Sequence, residues 1–570
     1  MTNFIKTQNS FAHGEISPEF FAHDNINGLS VLENMDVIAG GGITRRKGLQ
    51  TIDTIGTDAR LFPLSVSENE NYLLVIMDER MYIYANGQKK QDMIAPWTIE
   101  DVPKLQYAQR FGTMMFVHPN YSPYILKKES NRFVLSQFNF GIDENGFSAI
   151  PKMKFDDARG ISITITDSDQ GNVFATLTTD EDFWTPDNYG TRIYMNNKEW
   201  IIKNYISERQ VTAFLGETFI PPVSPVTDWS ESAFSNRRGW PACISFHQDR
   251  LVFAATPSYP SGIWMSKVGV HDDFSAGTGL DDEAISLTLL SQQRQQICTL
   301  VSSDSLQVLT TAGEWAISNA PLTPSNVSIK QHTSIGSVAT HYLPPQQIEG
   351  KTVFVSNTQK DIRELELDDL GVKYNANDLC PFSKHLLGNI TGLAYNQDTR
   401  QLFVVLNDGT LSVLNYNSGL GISAWAHYTT NGEFLSVAVT GDDTYAMVKR
   451  GDDYMLEMFS GAKLNDAGTF DFNFDASALP LHSSGHEIMK WRLRKISARV
   501  MNTKSISING SRVTLSNDVY NVTADGFTGD VSVDILGTND DYTAPVWRIH
   551  GTDALPITVL SVTIYGRYSI

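Results

Sequence analysis

Three histidines near the ends of apolar runs are the residues of this chain best suited to proton transfer. His118 precedes Pro119, His247 precedes Gln248-Asp249-Arg250, and His332 lies in a third stretch. Imidazole exchanges a proton near neutral pH, so a histidine beside a nucleophile would indicate general base catalysis. Neither a GxSxG nor an HExxH motif accompanies them. We therefore interpret all three as structural histidines at turns.

The 64 acidic side chains offer two further kinds of chemistry. A calcium loop places its oxygen ligands at alternating positions, whereas Asp281-Asp282-Glu283 are consecutive and follow Gly279. That spacing favours a solvated turn or a hydrogen-bonded hub. Glycoside hydrolysis needs two carboxylates about 5 to 9.5 Å apart, and no spacing here singles out such a pair. Glu314, which precedes the apolar Trp315, is predicted to cap a turn.

Cysteine usage and net charge limit the remaining classes of function. Cys243, Cys298 and Cys380 are far apart and lie beside apolar residues, so we expect three buried free thiols, no metal and no cofactor. The net charge is −20, whereas a nucleic-acid-binding surface needs clustered Lys and Arg to contact phosphates. The chain could still surround DNA without gripping it. The sequence shows neither a signal-peptide core nor a run of about 18 apolar residues.

Short strands joined by tight turns must position these residues. The strongest hairpin signal is Asn407-Asp408-Gly409 between Leu402–Leu406 and Thr410–Leu414, because Asp-Gly supplies the positive φ of a two-residue turn. Similar hairpins recur every few tens of residues, which is typical of radially repeated four-stranded sheets. The sequence therefore predicts an all-β fold based on a β-propeller of six or seven blades.

Breaks in this spacing divide the predicted fold into segments. Residues 1–60 are rich in turn residues and form an N-terminal arm or platform segment. The propeller occupies residues 61–145 and 236–465, and a small β-domain is inserted at 146–235. Residues 466–570 form a β-sandwich-like C-terminal domain that is expected to lie with the arm. Such an arm implies that residues 1–50 can be removed without unfolding the propeller.

Two clusters of side chains are candidate contact sites. In the insert, Phe183, Trp184 and Trp200 could stack on sugar rings or contact a partner. Near the N-terminus, Arg45-Arg46-Lys47 is the densest basic cluster and follows three glycines. It is either a docking segment or a solvated turn.

Two stretches and several further blocks carry a resemblance to a known family. The first stretch is Gly14–Pro18 (GEISP) with Gly40–Gly48 (GGGITRRKG), and the second is Trp240–Leu251 (WPACISFHQDRL) with Trp264–Lys267 and Asp272–Phe274. Further blocks follow in the same order at Leu105–Gln109, Met115–Pro119, Pro123–Leu126, Gly277–Ile285, Gly313–Trp315, Pro321–Val327, Gln331–Ser337, Phe527–Val531 and Leu555–Leu560. Together they resemble the tail nozzle family of tailed bacteriophages and prophages, which is related to tail tubular protein B.

The resemblance implies a structural virion protein rather than an enzyme. Six copies would form a homohexameric ring below the portal and adaptor of a short tail, extending and sealing the DNA ejection channel. The implied partners are the adaptor or head-to-tail connector, tail fibre or tip proteins, and duplex DNA that passes without specific binding. Arg45, Arg46 and Lys47 then become candidate adaptor-docking residues. The protein is expected in the virion tail, after assembly in the cytoplasm of the bacterial host.

Two other functions stay open at this stage. A receptor-binding tail protein would use the insert or a propeller face to bind a glycan of the host outer surface. A polysaccharide-degrading enzyme would use paired carboxylates on a propeller face. Adhesins usually have β-helical or coiled-coil shafts, and no heptad or solenoid repeat occurs here. The nozzle is therefore the favoured function.

Overall fold

The computed structural model describes residues 2–21, 26–167, 173–216, 222, 224–368, 370–461, 464–480, 490–515, 522–523, 526–535 and 544–569. Strands dominate these residues. Their helices are single 3-10 turns at Pro18–Phe20, Val102–Lys104, Asp156–Ala158, Pro186–Asn188, Lys384–Leu386 and Ser418–Leu420. Contacts within the chain define two compact units, Met1–Val102 with Leu343–Ile570, and Pro103–Tyr342.

Four blades of four antiparallel strands, numbered along the chain as blades 1, 5, 6 and 7, belong to the first unit. Blades 1, 5 and 7 are separate sheets, whereas the strands of blade 6 continue into an 11-stranded sheet that includes N-terminal and C-terminal strands. Blade 1 comprises Arg60–Ser67, Glu70–Met77, Arg80–Ala85 and Gln88–Ile94. Blade 5 comprises Gln346–Ile348, Lys351–Val355, Ile362–Leu367 and Tyr374–Asp378. Blade 6 comprises Ile390–Asn396, Gln401–Leu406, Leu411–Asn417 and Ile422–Tyr428. Blade 7 comprises Glu433–Thr440, Asp443–Arg450, Asp453–Ser460 and Gly48–Thr54.

Three further blades, numbered 2 to 4, belong to the second unit. Blade 2 comprises Gln106–Arg110, Thr113–His118, Tyr121–Glu129 and Arg132–Gln137. Blade 3 comprises Cys243–His247, Arg250–Thr256, Tyr259–Met265 and Ile285–Thr288. Blade 4 comprises Ile297–Ser302, Leu306–Thr310, Gly313–Thr323 and Asn326–Gln331.

Local sequence chemistry explains the hairpins inside the blades. In blade 6, Val405 pairs with Leu411 across the Asp408-Gly409 turn, and Gly409 has the positive φ of 80° that the turn requires. All six residues of Gln401–Leu406 are buried, as expected for a strand covered on both faces. This hairpin confirms the strongest local prediction.

The blades are repeated radially within each unit. In the first unit the opening strands of blades 5, 6, 7 and 1 contact one another in that order, and in the second unit those of blades 2, 3 and 4 do the same. Radial repetition of four-stranded meanders defines β-propeller blades. The all-β, propeller-based fold class is confirmed, and the described residues supply seven blades, within the predicted range of six or seven.

Blade 7 is assembled from both ends of the sequence. Its fourth strand, Gly48–Thr54, pairs antiparallel with Asp453–Ser460, and Gln50 lies opposite Met458. The strand therefore hides an edge that three strands alone would expose. The predicted N-terminal arm, residues 1–60, accordingly contributes its final strand to the propeller.

The inserted small β-domain is a single seven-stranded sheet in the second unit. Its strands are Lys152–Met153, Ile163–Asp167, Phe174–Thr179, Arg192–Met195, Lys198–Ser207, Gln210–Phe214 and Ser230–Ser232. One face carries a core of its own, which includes Ile163, Leu177 and Val211. The alternating burial of Phe174–Thr179 matches a strand with one buried face.

The C-terminal strands form a β-sandwich-like domain together with N-terminal ones. The C-terminal strands are Phe474–Ser477, Lys490–Thr503, Ser507–Ile508, Ser511–Arg512, Val522–Thr523, Gly526–Asp534, Arg548–Gly551 and Thr558–Ser569. The N-terminal strands are Thr2–Gln8, Gly14–Glu15, Gly28–Leu29, Val31–Glu33, Met35–Val37 and Ile43–Arg45. Thr2–Gln8 and Ile43–Arg45 both pair with Thr558–Ser569. N-terminal strands therefore pair directly with the last C-terminal strand.

Removal of residues 1–54 should unfold the first unit. This deletion exposes the hydrogen-bonding edge of Asp453–Ser460, and Leu49, which is fully buried, leaves the core. We expect loss of the cooperative thermal transition, or aggregation on size-exclusion chromatography. Deletion of residues 1–8 is the control, because it removes only an edge strand. A 1–54 deletion that melts like the full chain would contradict the closure.

Candidate functional site

Gly14 attaches the N-terminal segment to the outer strand of blade 6. It pairs in parallel with Trp425 and adopts φ +60°, where a Cβ would lie 2.2 Å from the Trp425 carbonyl oxygen. Only glycine combines this backbone conformation with so close an approach. Three residues later, the Ser17 N–H donates to the Phe382 carbonyl at 2.7 Å. The GEISP motif is therefore a backbone anchor.

The Glu15 carboxylate fixes the same anchor through three contacts. Only 5% of the residue is exposed. Its Oε2 accepts from the Leu32 N–H at 2.7 Å and lies 2.9 Å from His427 Nδ1. Its Oε1 lies 3.1 Å from Nε2 of His385. One carboxylate thus joins the N-terminal segment, the outer strand of blade 6 and the connection that follows blade 5.

Ionisation of Glu15 stabilises this cluster at neutral pH. Burial by itself raises the pKa of Glu15, but hydrogen bonds from His385, His427 and the Leu32 amide outweigh it and hold the pKa at about 2. Burial lowers the pKa of His427, and the bond to Glu15 more than reverses this, so that its pKa lies above the usual 6.5. Ionised Glu15 and protonated His427 are therefore favoured together at pH values between about 2 and the raised pKa of His427.

Arg46 and Asp466 form an ion pair with no exposed side-chain surface. The guanidinium donates twice to the carboxylate, at 3.0 and 2.7 Å. Its Nε donates to Asn34 Oδ1 at 2.7 Å, and its Nη2 donates to the Thr429 carbonyl at 3.0 Å. The Leu49 N–H donates to Asp466 at 3.2 Å. The pair therefore holds the start of the strand that closes blade 7.

The structure corrects the docking prediction for two of the three basic residues. Arg46 has the internal role just described. Arg45 is 5% exposed, its guanidinium lies 4.3 Å from the Phe472 ring centroid, and it donates to the Asp553 carbonyl. Burial is the main cause that lowers the pKa of Arg45 to about 10. Both side chains serve internal contacts, whereas Lys47 is exposed and stays a candidate.

The insert aromatics also require a correction. Phe183, Trp184 and Trp200 are 6%, 1% and 1% exposed and belong to the hydrophobic core of the insert. The Phe183 ring meets Trp184 edge-on at 5.0 Å and Trp229 at 5.4 Å between centroids. Rings in this position have no free face for a sugar or a partner. Their predicted contact role becomes a packing role.

The three histidines considered for proton transfer lie at or just beyond the ends of blade strands. His118 is 1% exposed, and its Nδ1 accepts from the Asn120 N–H at 3.1 Å. His247 Nδ1 lies 2.9 Å from Ser302 Oγ, and burial lowers the pKa of His247. The backbone N–H of His332 donates to the Glu314 carbonyl at 2.9 Å. These contacts agree with the structural interpretation.

Asp281–Glu283 is an exposed turn at Asp281 and Asp282 that also gathers hydrogen bonds. The Glu283 carboxylate accepts from the N–H groups of Gly279 and Leu280, at 2.5 and 2.9 Å. The buried Arg250 donates to the carbonyls of Asp281 and Glu283, at 2.8 and 2.5 Å. Likewise, Glu314 caps a turn by accepting from the Gly336 N–H at 2.9 Å.

Several negative observations hold for the described ranges of the chain. Within them, no group of three or more His, Cys, Asp or Glu could hold a metal ion. No helix in that part of the chain is long and apolar enough to cross a membrane. Cys243, Cys298 and Cys380 are buried free thiols, which confirms the prediction made for them.

These blades define an all-β protein of the β-propeller class. No protein-family model and no curated protein matches the chain. Among solved structures, it is similar to the β-propeller domain of Cps50 (Swd1) from Myceliophteria thermophila, at 9% identity over 72% of this chain and 100% of that one, with TM-score 0.35. BamB from Moraxella catarrhalis aligns at 10% identity over 72% and 98%, with TM-score 0.34. The RRP9 WD40 repeats align at 8% over 73% and 100%, also with TM-score 0.34. Scores this low indicate no function.

Glu15 should make stability depend on pH in the acidic range. A carboxyl whose pKa falls from 4.5 to about 2 on folding contributes stability above pH 4.5, and loses it as the pH falls through 2. Glu15→Gln should therefore lower the free energy of unfolding by about 3 kcal/mol at pH 7, with a smaller difference from wild type near pH 3. Urea unfolding at several pH values measures this. An equal difference at both pH values would contradict the ionised cluster.

Loss of the buried ion pair should be far more costly than loss of an exposed one. Asp466→Asn leaves the Arg46 charge buried without its counter-charge, so we expect about 3–5 kcal/mol of destabilisation. Asp92→Asn is the matched control, because Arg80 and Asp92 are paired at 2.9 Å with 54% and 42% of their side chains exposed. That control should cost less than about 1 kcal/mol. Similar denaturation midpoints for the two variants would refute the role of Asp466.

Proposed function

We propose that this chain is a structural virion protein, one subunit of a six-fold tail nozzle that extends and seals the DNA ejection channel of a short-tailed phage. The main support is that residues carrying the resemblance make buried contacts that join distant segments of the chain. Gly14 and Glu15 anchor the N-terminal segment on blade 6, and Arg46 pairs with Asp466 beside the strand that closes blade 7. In a conduit, such contacts keep the shape of the subunit under load.

Two further pairs of family-like blocks are joined by structural contacts. Arg250, in the WPACISFHQDRL block, binds carbonyls of the Gly277–Ile285 block. Glu314, in Gly313–Trp315, binds an amide of the Gln331–Ser337 block. Blocks that are distant in sequence are thus joined by hydrogen bonds within the second unit. This pattern supports a framework protein rather than an enzyme.

The charge of the chain is suited to a conduit for DNA. Each copy carries a formal charge of −20, and an acidic lining repels phosphates instead of binding them. Screening over about 8 Å at physiological salt limits the barrier to entry. In this proposal the duplex passes without specific binding.

The proposed partners follow from a place in the tail. Further copies of the chain form the ring, the adaptor or connector lies above it, and tail fibre or tip proteins lie around or below it. The exposed Lys47 is the residue of the basic cluster still available to the adaptor. Assembly takes place in the bacterial cytoplasm, and the mature location is the virion tail.

The copy number of the chain in purified particles tests this proposal. A six-fold ring beneath a twelve-fold portal predicts about one copy for every two portal chains, located on the tail axis. Quantitative mass spectrometry with the portal protein as internal standard gives the ratio, and cryo-electron microscopy gives the position. A multiple of three on peripheral appendages would favour a receptor-binding protein instead. Absence from the particle would refute both functions.

A further inference from the structure

An open cleft in the second unit combines aromatic rings with side-chain amides. Blade 2 forms one wall, the insert forms another, and the segment that returns from the insert to blade 3 forms the third. Its volume is about 520 Å³, within the range of about 300–1,000 Å³ that is common for sites of small ligands. Two of its lining residues, Tyr124 and Trp240, lie in family-like blocks.

Seven aromatic residues line the cleft, of which three are phenylalanines (Phe138, Phe140 and Phe234) and four carry a polar group. Tyr121 and Tyr124 come from the third strand of blade 2, Tyr189 from the insert and Trp240 from the returning segment. Tyr189 is 61% exposed, and the other three rings with a polar group are partly exposed. Aromatic rings present a flat apolar face and, in Tyr and Trp, a polar edge. This combination fits a ligand that has both C–H faces and hydroxyl groups.

The exposed ring of Tyr189 is held on an ordered turn. Asn188 Oδ1 accepts from the Thr185 N–H at 2.8 Å, which caps the preceding 3-10 turn. The Tyr189 N–H donates to the Pro186 carbonyl at 3.2 Å, and the Gly190 N–H donates to the Ile202 carbonyl at 2.8 Å. These bonds fix the backbone that carries the ring, so only side-chain freedom is lost when the ring meets a ligand.

The opposite side of the cleft is fixed as well. The Trp240 N–H donates to the Pro119 carbonyl at 2.9 Å, and its indole Nε1 donates to Asn236 Oδ1 at 3.1 Å. Ser235 and Gly239 pair in an isolated antiparallel β-bridge across this turn. At Gly239, φ is +80° and a Cβ would lie 2.2 Å from Pro257, so the turn depends on glycine. Both aromatic walls are therefore preorganised.

Side-chain amides supply the polar groups of the cleft. Asn120, Gln137, Asn139 and Asn236 all line it, and all four are exposed. A side-chain amide carries a carbonyl acceptor beside two N–H donors, and the Asn236 oxygen keeps a second lone pair besides the one that accepts from Trp240. Neighbouring hydroxyl groups of a sugar need such a pair, since each hydroxyl both donates and accepts.

The charge of the cleft favours an uncharged ligand. Arg192 is the one ionisable Asp, Glu, Lys, Arg or His side chain among the described residues that line it. Its guanidinium is already paired with Glu199 at 2.8 Å. A nucleic acid or another polyanion would need several unpaired cations here.

We propose that this cleft is a carbohydrate-binding site for a neutral oligosaccharide. The Tyr189 and Trp240 rings stack on the apolar faces of the sugar, and the amides of Asn120 and Asn236 bind its hydroxyl groups. This site is independent of the nozzle proposal and involves none of Phe183, Trp184 and Trp200. In a tail protein, it would provide contact with the glycans of the host outer surface.

Binding of defined sugars to the full chain tests the site. The probe is a printed panel of neutral hexose and N-acetylhexosamine oligosaccharides, followed by titration calorimetry with the strongest binder. Tyr189→Ala should weaken binding by about fivefold or more, because a stacking contact is lost. Asn120→Ala should also weaken it, while Tyr189→Phe, which keeps the ring, should retain most of the affinity.

The matched control is Tyr205→Ala, which removes a tyrosine of the same insert that is 38% exposed and lies outside the cleft lining. It should bind like wild type, and all variants should melt at the wild-type temperature. No binding to any panel member at millimolar sugar would overturn the proposal. So would sugar binding that Tyr189→Ala and Asn120→Ala leave unchanged, or binding of a peptide in place of sugar. None of these results alters the copy number in particles, so the two proposals can fail separately.

Discussion

The pairing of Gly48–Thr54 with Asp453–Ser460 is the constraint on which the first unit depends. It completes blade 7, and blade 7 lies between blades 6 and 1. The ladder alone does not specify its register, because a slip by two residues preserves the alternation of faces. Arg46 supplies the missing specificity, since its bidentate bond to Asp466 fits only one alignment of the strand. Backbone pairing and a buried charge thus work together.

Buried charges in this chain are used for position more than for stability. Removing two charges from water costs several kcal/mol, and their attraction only roughly offsets it. Arg46 offsets that cost with a carboxylate, a side-chain amide and a backbone carbonyl, and Glu15 offsets it with two imidazoles and a backbone amide. Each cluster joins segments that are hundreds of residues apart. Apolar side chains of equal volume could fill the same space but would tolerate sliding.

The sequence was sufficient for local structure and for the fold class. Asp408-Gly409 specifies its own hairpin, and periodic strands specify blades, because both depend on neighbouring residues. Arg45 and Arg46 were predicted at the surface, since burial of a guanidinium depends on a remote partner such as Asp466. The predicted contact role of Phe183 and Trp184 was wrong for a similar reason. Two adjacent aromatic residues look the same in the sequence whether they lie in a core or in a binding site. The aromatic cleft joins residues from three segments, and no local pattern marks it.

Closure of blade 7 by an N-terminal strand also constrains the order of events during synthesis. Gly48–Thr54 leaves the ribosome about 400 residues before its partner strand, Asp453–Ser460, has been made. Until then the early strand has an open edge, and the loop to be closed spans most of the chain. Such long-range pairing folds slowly and leaves strand edges open to wrong pairing. The open edge of Gly48–Thr54 must therefore avoid wrong pairing until Asp453–Ser460 has been synthesised.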